Sequence, residues 1–403
     1  MQINCHIAFF DLPDHTRITT TLAIAEALVI KGVKLDHYCL ENSRELVESV
    51  RANFCKLPPF KAKIQDETLQ YRVIEYSLDA VPLLLPQLRQ NRPNLIVFTA
   101  KCLWAAVLAE YLKIPTVCIH TNYLLPKSYF PSLKVFLAAY RPRFFLRHLR
   151  LYVRDLKLWK SLQKLYNLKD IQQQDLFKWQ PNCINLKGDL NLVYVAKEFQ
   201  EELALLDSSY HFIGPCYTDR PFDENPNILE QANVYIALGS VKIYNQNLHF
   251  YRQCIKAFTG TSHKVLMAIG NNLDIKSLGK VPSNIFVVNY APQLNILRHA
   301  KVFITHGGTN SVWEALLQGV PLVLFPQGGD QHLVANRVEK LNLGIWCRNP
   351  NISAHSLLHL TEKVMEDKLI QENVTRMGDA FRQAGGTALA VDKIMDFATH
   401  IKS

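Results

Sequence analysis

The features absent from this 403-residue chain narrow its class first. Its nine cysteines include no C-x-x-C pair, and their irregular spacing argues against a disulfide framework. Free thiols in a reducing compartment are expected, with the cytoplasm as the default. No basic stretch leads into an apolar run at the start: Met1-Gln2-Ile3-Asn4-Cys5-His6-Ile7 reads as a first strand, not a signal peptide. The most apolar region, 102–119, is interrupted by Glu110 and Lys113 and broken by Pro115, so no transmembrane span is expected. There is no H-E-x-x-H motif. His355 and His359 lie four apart on an expected helix but without a further ligand cluster, so a metal site is set aside. No recognised nucleic-acid motif accompanies the basic charge, so nucleic acid is not expected as a partner.

What is present is ordinary globular material, 48% hydrophobic and 20% charged, long enough for two domains. The net charge of +10 favours anionic partners without choosing among them. In the N-terminal half, β-branched runs at 3–10, 33–39, 95–99 and 116–120 alternate with helical patterns at 19–31 and 103–112. The C-terminal half repeats this, with strands expected at 234–238, 265–269, 285–288, 302–305 and 322–325. Between them, 214–227 is rich in Pro, Gly and Asn and lacks periodicity, which places a linker at 216–230 between domains at 1–215 and 231–385. The fold class is therefore α/β, with two Rossmann-like, doubly wound domains facing a central cleft between the carboxyl ends of their strands.

The most informative segment is 302–336, VFITHGGTNSVWEALLQGVPLVLFPQGGDQHLVAN, which reads strand, tight turn, helix, strand, loop. Asn310 or Ser311 is expected to cap a helix that stops near Gly319 and Pro321. The unpaired N–H groups and partial positive charge of a helix start suit a diphosphate beside Gly308, Asn310 and Ser311, with His306 as a further donor. Glu314, about one turn on, can accept hydrogen bonds from two adjacent ribose hydroxyls. Taken singly, each residue has a bland reading as turn, cap or surface charge; the run as a whole does not.

His306, Gly308, Asn310, Ser311, Glu314, Asp330 and Gln331 match in order and spacing the signature of the UDP-glycosyltransferase superfamily. Through Pro326-Gln327-Gly328-Gly329-Asp330-Gln331 the chain most resembles the bacterial macrolide and carotenoid glycosyltransferases, and the resemblance covers most of it. It implies a GT-B fold and a base site at Tyr290-Ala291-Pro292-Gln293. There Tyr290 would stack on uracil, with core packing as its alternative, and Gln293 would bond near base and ribose. Asp330 and Gln331 would hold the sugar hydroxyls, and Ser240 would stand beside the β-phosphate. It further implies inverting transfer of a hexose, glucose foremost, from a UDP-sugar co-substrate to a small lipophilic hydroxyl acceptor. No metal or other cofactor is implied, and no D-x-D sequence stands near the donor motif. A last helix at 386–403 would pack back on the first domain.

The acceptor side departs from the family pattern. Inverting transfer needs a base for the acceptor hydroxyl and stabilisation of the departing diphosphate. Counting back from Leu22 and Leu28 puts Arg17 where the family has its catalytic His, with His15 two residues earlier. Thr99 stands where the family has the orienting Asp. An arginine stays protonated and is no base. His15 replaces the base, or Arg17 binds an acidic acceptor or the diphosphate, or the chain is a catalytically altered nucleotide-sugar-binding protein. A nucleotide-sugar epimerase is a further rival, disfavoured by the transferase-like signature. Residues 140–164, dense in Arg, Lys and aromatics, suggest peripheral contact with an anionic membrane at its inner face, or a solvated helical face over a normal core.

Overall fold

The structure, a computed structural model, describes residues 5–12, 15–59, 73–124, 142–171, 186–217, 232–239, 246–328 and 330–400; the side chains at 15–17, 19, 142–149, 151 and 152 lie outside that description. The chain divides into two compact units. One comprises Met1–Val195, Gln200–Tyr217 and Ala384–Ser403; the other comprises Ala196–Phe199 and Thr218–Gln383. Of the stretch expected as linker, only Cys216 and Tyr217 are described.

In the first unit the strands are β1 (His6–Phe10), β2 (Lys34–Cys39), β3 (Asn53–Lys56), β4 (Leu95–Thr99), β5 (Thr116–His120), β6 (Leu190–Val193) and β7 (Tyr210–Phe212). All their pairings are parallel, in the order β3-β2-β1-β4-β5-β6-β7. A parallel sheet covered on both faces needs continuous apolar strands. LIVFT of β4 meets that demand, with all five residues buried. The helices are α1 (His15–Ile30), α2 (Arg44–Ser49), α3 (Val73–Gln90), α4 (Leu103–Leu112) and α5 (Pro142–Tyr166). The largely apolar LWAAVLAEYL of α4 buries Leu103 to Ala109 and Leu112 in one core layer and leaves only Glu110 and Tyr111 toward its edge.

Helix α1 begins four residues before the expected 19. The Thr-rich start has weak helix propensity, but Ile18 is fully buried, and packing overrides propensity there. On α5, Trp159 and Leu162 are fully buried. Trp159, counted in the sequence among residues able to face a bilayer, is instead part of the core. No helix among the described residues is long and apolar enough to cross a membrane.

The second unit has β8 (Val234–Ala237), β9 (Val265–Ala268), β10 (Ile285–Val288), β11 (Val302–Thr305), β12 (Leu322–Leu324) and β13 (Gly344–Trp346), parallel in the order β10-β9-β8-β11-β12-β13. Its helices are α6 (Leu248–Phe258), α7 (Gln293–Leu297), α8 (Thr309–Leu317), α9 (Gln331–Lys340), α10 (Ala354–Glu366) and α11 (Lys368–Gln383). The last helix, α12 (Gly386–His400), belongs to the first unit, where Ala390, Val391 and Ile394 share an apolar cluster with Leu22 and Leu28 of α1. In each sheet the winding reverses once, between β1 and β4 and between β8 and β11. These switch points are where open α/β sheets take ligands.

Candidate functional site

His306 follows β11 at the switch point of the second sheet, and Gly239 follows β8 across from it. A Cβ added to Gly239 would stand 2.6 Å from the imidazole Cε1, and one added to Gly308 would stand 2.3 Å from Nε2. The ring therefore fills the space between two glycine backbones, and neither position admits a side chain. Thr305 Oγ1 lies 3.3 Å from Nδ1. Burial pushes the imidazole down to about 4, with Asp330 acting weakly the other way, so at neutral pH the ring is an uncharged donor and acceptor.

The expected cap differs. Gly308, with φ −62° and ψ 139°, is the N-cap of α8, and the helix starts at Thr309. Because the His306 ring forbids a side chain at 308, the cap is glycine, and Asn310 and Ser311 move into the first turn. The backbone N–H groups of that turn have no acceptor within the helix. The helix ends as expected. Gly319, at φ +70°, donates to Leu316 O, and Val320 donates back to Ala315 O, the double bond of a Schellman stop.

One turn along α8, Glu314 is only 3% exposed. Its Oε2 accepts from Gln293 Nε2 at 2.7 Å, and the same amide lies 3.3 Å from Ser311 Oγ. Gln293 opens α7, three residues after Tyr290, which is 56% exposed. That exposure excludes core packing for Tyr290. Asp330 N-caps α9 and accepts from Thr309 Oγ1 at 3.2 Å, linking the starts of α9 and α8. Gln331 is buried, and its Oε1 accepts from the backbone N–H of Gln327 at 2.8 Å and of Gly328 at 3.3 Å. Its carboxamide oxygen thus shapes the loop after β12. Ser240 lies outside the described residues.

In the first unit, His15 and Arg17 lie in the first turn of α1, with side chains outside the description. Thr99 ends β4, is buried, and sets its Oγ1 3.2 Å from Cys102 Sγ; it supplies no carboxylate. Sequence reading passed over Asp11, fully buried directly after β1. An acid within the apolar Phe9-Phe10-Asp11-Leu12 was the available signal. It also passed over Phe199, whose ring meets Trp313 of α8 edge-on at 4.7 Å while its carbonyl accepts from Arg337 Nε at 2.7 Å. No local pattern marks that long-range contact. His355 and His359 both lie on α10, and among the described residues no group of three or more His, Cys, Asp or Glu is placed to hold a metal ion.

In the second unit, then, the carboxyl ends of β10, β11 and β12 gather an uncharged imidazole, a helix start, a buried carboxylate with its amide partner, and an exposed aromatic ring. This set suits a nucleoside diphosphate. Comparison with known proteins points the same way. The family model described as UDP-glucoronosyl and UDP-glucosyl transferase matches residues 229–384. The NDP-glycosyltransferase YjiC of Bacillus subtilis is 26% identical over 97% of both chains. The demethyllactenocin mycarosyltransferase of Streptomyces fradiae is 26% identical over 96% of this chain and 86% of its own. Among solved structures, the glycotransferase of kitacinnamycin superposes with a TM-score of 0.80 at 25% identity, covering 98% of this chain and 99% of that one.

Proposed function

This chain belongs to the UDP-glycosyltransferase superfamily and has its GT-B fold, and from that premise we propose that it moves a hexose, glucose foremost, from a UDP-sugar to a hydroxyl of a lipophilic small molecule with inversion. It is a nucleotide-sugar-dependent glycosyltransferase. The observation that carries the donor assignment is the pairing of Glu314 with Gln293 one turn into the helix that His306, Gly307 and Gly308 introduce. A diphosphate beside the first turn of α8 would meet backbone N–H groups and the uncharged His306. The Glu314 carboxylate would take the ribose hydroxyls, with Gln293 turned toward ribose and base. Tyr290 offers an exposed face for uracil, and Asp330 and the Gln331 NH2 would hold sugar hydroxyls. Ser240 would stand beside the β-phosphate.

In transfer, the acceptor oxygen gives its proton to a base and attacks the anomeric carbon from the face opposite the leaving group. The bond from that carbon to the diphosphate oxygen breaks, and UDP leaves with the electron pair. His15 is the base in this scheme, and Arg17 is a cation for an acidic acceptor or for the diphosphate. The scheme needs no metal, because the first turn of α8 and His306 receive the leaving charge. A natural-product acceptor is favoured by relatives such as the mycarosyltransferase.

Arg17 and Thr99 favour a second reading, in which the donor is bound without efficient transfer. The deciding test is UDP release from UDP-glucose over phenolic, macrolide, sterol and carotenoid acceptors, in wild type, His15→Ala, Arg17→Ala and Glu314→Ala. Acceptor-dependent release that is lost in His15→Ala and Glu314→Ala supports the first reading. UDP binding that depends on Glu314, with no turnover on any acceptor, supports the second.

A further inference from the structure

At the switch point of the first sheet, the residue that follows β1 is Asp11, and the neighbouring strand β4 ends at Thr99. Asp11 is fully buried, and among the described residues a single oxygen, Oδ2, carries both of its side-chain bonds. Thr21 Oγ1 of α1 donates to it at 2.6 Å and His37 Nε2 of β2 at 2.9 Å. His37 is buried equally deeply. The other carboxylate oxygen, Oδ1, and the other ring nitrogen of His37, Nδ1, have no hydrogen-bond partner among the described residues. A staple joining β1, β2 and α1 could be made from apolar side chains without desolvating a carboxylate. Here an acid with an unspent oxygen stands where open α/β sheets place function, and it grips the helix whose first turn holds His15 and Arg17.

We propose that Asp11 is a positioning residue for the acceptor half of the reaction. Through Thr21 it holds α1 against the ends of β1 and β2, and so fixes where the first turn of that helix stands. His37, donating from Nε2, fixes the carboxylate in turn, and it can do so only with that nitrogen protonated. Thr99 offers no charge at the end of β4, so the acid of this switch point is supplied from β1. The inference rests on the transferase reading and adds to it a residue that touches no substrate.

The test compares Asp11→Asn, Thr21→Val and Thr21→Ser with wild type in steady-state transfer, alongside hydrogen exchange across α1. Misplacing a reacting group by about 1 Å costs on the order of 100-fold. Asp11→Asn and Thr21→Val are expected to lower kcat by roughly 10- to 100-fold, well beyond any rise in the KM for UDP-sugar, because Glu314, Gln293 and His306 belong to the second unit. Thr21→Ser, which keeps the hydroxyl, should recover kcat. An unchanged kcat in both Asp11→Asn and Thr21→Val, a matching rise in donor KM, or a Thr21→Ser no better than Thr21→Val overturns the inference. Should Asp11→Asn fail to fold, the two Thr21 variants decide it. A wild type that binds UDP yet transfers to no acceptor fails the transferase reading instead. Exchange then decides: Asp11→Asn must speed it over the first two turns of α1 and leave 302–317 unchanged, and equal exchange at α1 overturns the inference.

Discussion

Replacing Gly308 by Ala probes the centre of the proposed donor site with a single methyl group. The backbone at 308 is ordinary, with φ −62° and ψ 139°, so the substitution carries no conformational strain of its own. Beyond the loss of a favourable N-cap residue, its effect comes from the His306 ring, whose Nε2 would lie 2.3 Å from the new Cβ. Optimal carbon contacts lie near 3.5 Å, so the ring must retreat by about 1 Å. The same Cε1–Nε2 edge of the ring also lies close to Gly239. Overpacking of this kind costs about 1–3 kcal/mol. For a unit of this size each kcal/mol lowers the melting temperature by roughly 2–4 °C. In the proposed donor pose a displaced ring also loses its hydrogen bond to phosphate, and such a bond to a charged group is worth about 1.5–3 kcal/mol, or roughly 10- to 100-fold in UDP affinity. Scanning calorimetry and a UDP titration of the purified variant read both. Adding His306→Ala to Gly308→Ala should cost less stability than the two single changes summed, since the clash is gone although a cavity replaces it, and should not recover the affinity. A Gly308→Ala protein with wild-type melting temperature and wild-type UDP affinity would refute the reasoning.

Three more expectations follow from the geometry. Gln331→Leu leaves the N–H groups of Gln327 and Gly328 without their acceptor; initial-rate kinetics should show a raised KM for UDP-sugar, and calorimetry an unchanged affinity for UDP alone. Phe199→Ala opens a cavity behind Trp313 and should lower the urea midpoint by an amount matching about 3–5 kcal/mol, with a shift in tryptophan emission. Burial pushes both His306 and His120 down to about 4. Between the ordinary 6.5 and that value the unfolded chain binds the proton and the folded chain does not. Unfolding free energy should therefore be fully present above about pH 6.5 and fall toward pH 4, by up to roughly 3 kcal/mol per histidine. His120→Gln should flatten that slope in urea titrations run at pH 7.5 and 5, and an unaltered slope would contradict the assignment.

The parts legible in the sequence are those where one local pattern settles one local structure. The buried strand LIVFT, the apolar helix 103–112 and the Gly319 stop lie where periodicity and turn chemistry put them. The strands β3, β6, β7 and β13 were not legible because each includes a polar residue or a glycine (NFCK, LNLV, YHF, GIW), unlike the equally short, largely apolar runs of β8 to β12, and forms by pairing with a neighbour. At the proposed donor site the residue types could be named from the sequence, but the hydrogen bonds they make within the protein could not. The helix cap is Gly308 because the ring of His306, just after the preceding strand, occupies the space, and Gln331 holds its own loop. Asp11 went unnoticed because its partners, ten and twenty-six positions away, meet it only after the sheet has formed.

The measurement that tests the account most directly is a calorimetric titration of UDP into wild type and Glu314→Ala, with unfolding curves taken on both. Glu314 is the buried carboxylate assigned to the ribose, and Gln293 depends on it. Saturable one-to-one binding by wild type, weakened by about tenfold or more in the variant while the variant stays folded at the titration temperature, is the expected result. Equal affinity in the two proteins, or no binding to wild type, would contradict the placement of the donor in the second unit.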